Sequence, residues 1–168
     1  MSGRLIQTAQ WKDLPEAESV YEGARQRMRE TGNPTQWGST YPPEELLKQD
    51  IQKKQLYVVR EDDRIVGAFA ICTGEDDTYR VIEQGNWLND EPYLTVHRVA
   101  GAKSAKGILK TILEFAEGRP GARNIRIDTH PDNTVMQHLL AKYGYTKCGV
   151  IHYYDGSPRF AYQKVLHN

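Results

Sequence analysis

At 168 residues the chain has the size of one domain, long enough to bury a full core. Lysine plus arginine equals aspartate plus glutamate at 22 each, so no global field draws it to nucleic acid or to an anionic membrane. The two cysteines, Cys72 and Cys148, lack Cys-x-x-Cys spacing and metal-ligand neighbours, and read as packed thiols in a reducing cytoplasm rather than as a disulfide or a zinc site.

Met1–Gln10 has no apolar core of a signal peptide, and no apolar run approaches the ~20 residues a membrane span needs. The expectation is a soluble, cytoplasmic, single domain over residues 1–168. In chain order, Arg4 to Ala9 alternates as a short strand. Asp13-Leu14-Pro15 starts a helix whose inner face is Ala17, Val20, Tyr21, Ala24 and Met28, ending near Gly32. A loop with Trp37 and Tyr41 follows. Pro42-Pro43-Glu44-Glu45 suits the first turn of a second helix, with Leu47 and Ile51 inward. Leu56 to Val59 and Ile65 to Thr73, joined by a turn at Glu61 to Arg64, form a hairpin in which Gly67 marks a bulge or a close backbone approach.

The connection from Gly74 to Pro92 is long, and its Tyr79, Val81, Ile82 and Trp87 predict a short helical turn over the sheet with Trp87 as a core anchor. Tyr93 to Ala100 reads as a strand, Gly101 to Gly107 as a small-residue turn, and Leu109, Ile112, Leu113 and Ala116 as the inner stripe of a helix. Asn124 to Thr129 is a buried strand. Pro131-Asp132-Asn133 opens a helix with Met136, Leu139, Leu140 and Tyr143 inward and Gly144 as its stop. Tyr145 to Tyr154 and Arg159 to Leu166, around a turn at Asp155-Gly156, complete an antiparallel pair. This is an α/β order with a mixed sheet.

The turn at Gly101–Gly107 carries the clearest chemistry, since a helix start presents unpaired N–H groups and the positive end of a dipole to phosphate. It is not a P-loop, because five residues separate its glycines and Ile108 follows, nor does it hold the three glycines of a dinucleotide fingerprint. It resembles the Gln/Arg-x-x-Gly-x-Gly/Ala turn of the GNAT family of acyl-CoA-dependent N-acetyltransferases. Ser104 takes the Gln/Arg place, Gly107 the first glycine and Leu109 the final Gly/Ala, so one of three positions matches. Asn133 to Tyr145 is similar to the family's Asn-x-x-Ala-x-x-x-Tyr-x-x-x-Gly-Phe pattern, with Asn133, Gly144 and Tyr145 in register, Met136 replacing the alanine and Leu140 the tyrosine. The element order of nearly the whole chain agrees with that family.

The resemblance implies a GNAT-like mixed β-sheet flanked by helices on both faces, its central strands splayed to hold acetyl-CoA as cosubstrate. Pantetheine would pair with the backbone near His97, Arg98 and Val99, and the diphosphate would sit on Ser104, Ala105, Lys106, Gly107, Ile108 and Leu109, with Asn133 nearby. Leu109 must then turn its side chain inward. Val99 would offer its amide to the carbonyl oxygen. Among the chain's own residues, Asp128 and His130 end a strand where ligands of open α/β sheets gather, and either could serve as base. An ion pair of Asp128 with Arg98 or Arg126 is the structural alternative. With leucine at position 140, Tyr145 and Tyr143 are the nearest candidate acids, Tyr143 falling on an apolar stripe, while His152 and Tyr154 are secondary. Trp37 and Tyr41 are placed to hold an amine by apolar and cation–π contact, or to pin their loop.

Acetyl transfer to a small-molecule or peptide amine by direct attack in a ternary complex is the leading expectation, with no metal. A CoA-binding module that senses acyl-CoA is the alternative, and an α/β domain without a CoA site is the third. The acceptor's identity and the oligomeric state, a homodimer included, are not set by the residues.

Overall fold

The computed structural model describes residues 3–167. Strand β1 (Arg4–Thr8) leads through a 3-10 turn at Trp11–Asp13 to helix α1 (Leu14–Glu30) and then α2 (Glu44–Gln52). The hairpin β2 (Leu56–Glu61) and β3 (Arg64–Cys72) follows, then β4 (Leu94–Gly101), α3 (Ile108–Glu117), β5 (Asn124–Thr129), α4 (Thr134–Lys142), β6 (Thr146–His152) and β7 (Pro158–Val165). The seven strands pair in the order β1-β2-β3-β4-β5-β7-β6 as a mixed sheet, parallel at β4–β5 and antiparallel at β1–β2, β2–β3, β5–β7 and β6–β7. No helix among the described residues is long and apolar enough to cross a membrane.

The chain forms two compact units, Met1–Ile71 with His97–Ile112, and Cys72–Val96 with Leu113–Asn168. In the first, the helical periodicity read from the sequence is the buried face: Ala17, Val20, Tyr21 and Ala24 of α1 and Leu47 and Ile51 of α2 are buried, in a core with Leu56, Val58, Ile65 and Ala68. Asp13 precedes α1 as expected, but its carboxylate accepts from the Gln10 amide at 2.8 Å and from Arg60 at 2.6 Å instead of capping the helix. Pro43 stands at the N-cap of α2, leaving Glu44 and Glu45 in the first turn. Gly67 meets both expectations for it. The β2–β3 register skips a residue between Val59↔Gly67 and Arg60↔Ile65, and a Cβ on Gly67 would stand 3.2 Å from the side chains of Val59 and Ile108 and 3.3 Å from the Ala100 carbonyl oxygen.

In the second unit β5 pairs with β7 from Asn124↔Val165 to Thr129↔Phe160, and the parallel β4–β5 ladder comprises Leu94↔Ile125 and Thr95↔Arg126. The long connection makes its short helical turn at Asp77–Tyr79 and one bridge to β6, Glu83↔Val150. Trp87 is half-buried rather than a full core residue: its Nε1 donates to the Tyr79 carbonyl at 2.8 Å and its ring lines a cleft. Of the stripe expected on α4, Leu140 alone is fully buried, while Met136, Leu139 and Tyr143 are partly covered.

Candidate functional site

The turn between β4 and α3 is pinned at three places. The Ala102 amide donates to the Val66 carbonyl at 2.8 Å, Ala105 donates to Ala102 at 3.0 Å, and Thr111 makes the first helical bond, to Gly107, at 3.1 Å. Between these, the amides of Ser104, Lys106, Gly107, Ile108 and Leu109 donate to no acceptor among the described residues. Gly107 stands at φ 71, a left-handed conformation that a side chain would strain, and it lets these amides cluster at the helix start. Leu109 is buried, its side chain turned inward. Lys103 and Lys106 are exposed.

Two arginines that the sequence does not single out hold this turn. Arg4 donates through Nε to Glu61 at 2.7 Å, through Nη1 to the Thr111 hydroxyl at 2.9 Å and through Nη2 to the Lys106 carbonyl, clamping both sides of Gly107. Arg27 donates to the Gly101 carbonyl. Two guanidinium groups therefore bind carbonyls of the same short turn, and their charge adds to the helix dipole.

Upstream in β4, Arg98 adopts φ 54, unusual for a residue with a side chain. Strand β4 runs through His97, Arg98 and Val99 with this one left-handed residue in it, and the Arg98 carbonyl is already engaged by the Tyr21 hydroxyl at 2.7 Å. The guanidinium grips Asp50 with two bonds, Nε to Oδ2 at 2.8 Å and Nη2 to Oδ1 at 2.9 Å, and Gln55 adds a third to Oδ1 at 2.7 Å. Burial pushes the Tyr21 phenol up, against the pull of the Arg98 charge, so it stays a donor. Trp37 is buried with its ring 5.8 Å from Tyr21 and 6.1 Å from Tyr41, which pins the loop, whereas Tyr41 is partly exposed and its hydroxyl lies 3.5 Å from Arg98 Nη1.

In the second unit the ion pair expected for Asp128 does not form. Arg98 is taken by Asp50, and Arg126 lies against two aromatic rings. Asp128 instead accepts hydroxyl bonds from Tyr79 at 2.6 Å and Tyr153 at 2.5 Å, one on each oxygen. Burial, reinforced by the Asp128 charge, holds the Tyr79 phenol well above its usual value, so it stays a neutral donor. The sequence did not connect either tyrosine to Asp128: Tyr79 belongs to the long connection, and Tyr153, expected inside the strand Tyr145 to Tyr154, follows the end of β6 at His152.

His130, two residues on, accepts the Asp132 amide on Nδ1 at 3.0 Å, so its neutral ring carries the proton on Nε2. Burial, with the Arg159 charge, lowers it below the ordinary histidine value against the pull of Asp132. Tyr145 is buried and donates to Glu117 at 2.9 Å; burial and then the Glu117 charge push its phenol far up. The Asn133 side chain caps α4 by accepting the Met136 amide at 3.1 Å. His152 and Tyr154 are exposed.

Against known proteins, the chain matches the model of the Acetyltransferase (GNAT) family over residues 17–145. No match was found among curated proteins. Among solved structures, a GNAT-family acetyltransferase from Streptococcus agalactiae 2603 is 32% identical, with a TM-score of 0.90 over 99% of this chain and 97% of that one. A GNAT-family acetyltransferase from Listeria monocytogenes 4b F2365 shares the fold at 20% identity and TM-score 0.73, covering 99% and 98%. So does a chain of the NatC complex bound to Gag peptide and CoA, at 11% identity and TM-score 0.65, covering 98% and 99%.

Proposed function

The chain belongs to the GNAT acetyltransferase family, and from that premise we propose that its single domain transfers an acetyl group from acetyl-CoA to a primary amine, both bound at once. The observation that carries this reading is the run of amides at Ser104, Lys106, Gly107, Ile108 and Leu109 that lack acceptors among the described residues, gathered at a helix start. Those groups suit a diphosphate, whose oxygens accept several backbone bonds at once. Arg4 and Arg27, by tying the carbonyls of Lys106 and Gly101, keep the donors facing one way.

Acetyl-CoA supplies a thioester carbonyl activated toward nitrogen. Val99, following left-handed Arg98, is given the role of stabilising the carbonyl oxygen through its N–H. Asp128 is given the base role, taking a proton from the ammonium through water, because each of its oxygens keeps a lone pair beyond its phenol bond. His130 and Tyr145 are less suited, since the basic nitrogen of His130 already accepts an amide and the Tyr145 proton is committed to Glu117. Buried Leu140 cannot protonate the departing sulfur, and water fills that part. Tyr41, exposed beside the core-packed Trp37, is the aromatic left to meet an amine.

Acetyl-CoA is expected to raise the melting temperature, Gly107→Glu to abolish that rise by placing a carboxylate among the amides, and an amine panel to reveal thiol release. No stabilisation by acetyl-CoA overturns the reading. Stabilisation without turnover on any amine selects the second reading, an acyl-CoA sensing module, which leucine at position 140 favours.

A further inference from the structure

The second unit contains an open cleft of about 760 Å3 whose walls include Tyr79, Trp87, Tyr93 and Arg126. Arg126 is 5% exposed, and its guanidinium carbon lies 4.0 Å from the ring centres of both Trp87 and Tyr93. Nη2 donates to the Asn89 carbonyl at 2.9 Å, while Nε finds no acceptor. No carboxylate lies within ion-pair distance of Arg126 among the described residues.

A guanidinium does not give up its proton in a protein, so burial leaves a charge to be balanced. Ring faces attract the cation but accept no strong hydrogen bond from it. A planar carboxylate matches the guanidinium fork, and none is supplied by the surrounding chain. The cleft is also lined by Glu75, Asp90 and Glu91, all exposed, with Arg80 the one other cation. Glu75 leans to Arg80 at 3.5 Å and Glu91 to Arg123 at 3.9 Å, whereas Asp90 has no partner among the described residues. Such a lining repels a phosphate or a dicarboxylate and attracts a positive group. The space suits a small organic molecule with flat or apolar parts against the rings.

We propose that this cleft binds a small amino-carboxylate zwitterion, an amino acid or short peptide, with its carboxylate on Arg126 and its ammonium toward Asp90 and Glu91. The inference concerns binding alone and stands apart from the acyl-transfer reading. It is tested without acetyl-CoA, so failure of one leaves the other intact.

The experiment screens the common L-amino acids and their glycyl dipeptides against the full chain by thermal shift, then by titration calorimetry. At least one is expected to bind. Its carboxamide and its N-acetyl derivative, each lacking one charge, should bind about tenfold more weakly or worse, as the loss of one charge-assisted contact dictates. Arg126→Gln should abolish binding. Should that variant not fold, the surface double variant Asp90→Asn, Glu91→Gln decides: it should weaken the zwitterion about tenfold and leave the N-acetyl derivative unchanged. No binder in the panel, a carboxamide that binds as well as its parent, or undiminished binding in the double variant overturns the proposal.

Discussion

Replacing Asp50 with alanine tests what holds the left-handed residue in β4. The Asp50 and Arg98 side chains are 1% and 9% exposed, and their contact is bidentate at 2.8 and 2.9 Å. Removing the carboxylate takes the bidentate counter-ion from a buried guanidinium, a change that costs about 3–5 kcal/mol. At about 2–4 °C per kcal/mol for a chain of this length, the melting temperature should fall by about 6–20 °C. Urea unfolding of Asp50→Ala, Arg98→Met and the double variant Asp50→Ala, Arg98→Met closes a cycle. Both charges are absent in the double variant, so it should regain most of the loss, with a coupling of about 2 kcal/mol or more. Turnover should not recover with it. Arg98 at φ 54 stores about 1–3 kcal/mol of backbone strain, and without the Asp50 grip the strand relaxes toward extended geometry and re-aims the Val99 amide. Activity is then expected to stay down about tenfold or more, equivalent to about 1.4 kcal/mol of lost positioning. A stability loss below about 1 kcal/mol in Asp50→Ala, or a double variant no more stable than the worse single one, refutes the reasoning.

Arg4→Ala should weaken acetyl-CoA binding about tenfold in calorimetry by releasing the Lys106 carbonyl, while the partly exposed pair with Glu61 limits the stability change to about 1 kcal/mol or less. Gly67→Val should destabilise by about 1–3 kcal/mol in urea, because its Cβ would already meet Val59, Ile108 and the Ala100 carbonyl at 3.2–3.3 Å and its methyl groups have no space. His130 titrates below 6.5 in the fold, so the unfolded chain takes up its proton first as pH falls. Stability should therefore decline from about pH 6.5 down to the folded value and level off below it, and urea midpoints of His130→Asn should fall less over that window.

Much of the fold was legible because burial on one face leaves a period in the sequence. The stripes of α1, α2 and α3 coincide with buried residues except for half-buried Met28 at the end of α1, and β5 spans the expected Asn124–Thr129. The α4 stripe was less exact, since a short helix covered on one narrow line buries Leu140 and only shades Met136, Leu139 and Tyr143. Trp87 shows the limit of composition: a large ring in a long connection signals packing, but not that it packs against a cation and borders open space.

The site divides along the same line. Gly107 and its unpartnered amides are local features, and their residue types announce them. Arg4 reaches the turn across 102 and 107 residues of sequence, and Arg98 reaches Asp50 across 48, so no spacing rule connects them. Asp128 is the instructive case. Alternation placed it on a face with Arg126, and an ion pair was the natural inference for a carboxylate beside a guanidinium on a buried strand. Long-range packing sent Arg126 to the rings of Trp87 and Tyr93 and brought two phenols to Asp128. The exchange has a chemical consequence. Each Asp128 oxygen accepts one phenol bond and keeps lone-pair capacity for a water, which is the geometry the proposed base role uses. The same rearrangement leaves Arg126 without an anion of its own. The one ion pair that does not form thus involves both the carboxylate proposed as base and the guanidinium proposed to meet a ligand carboxylate.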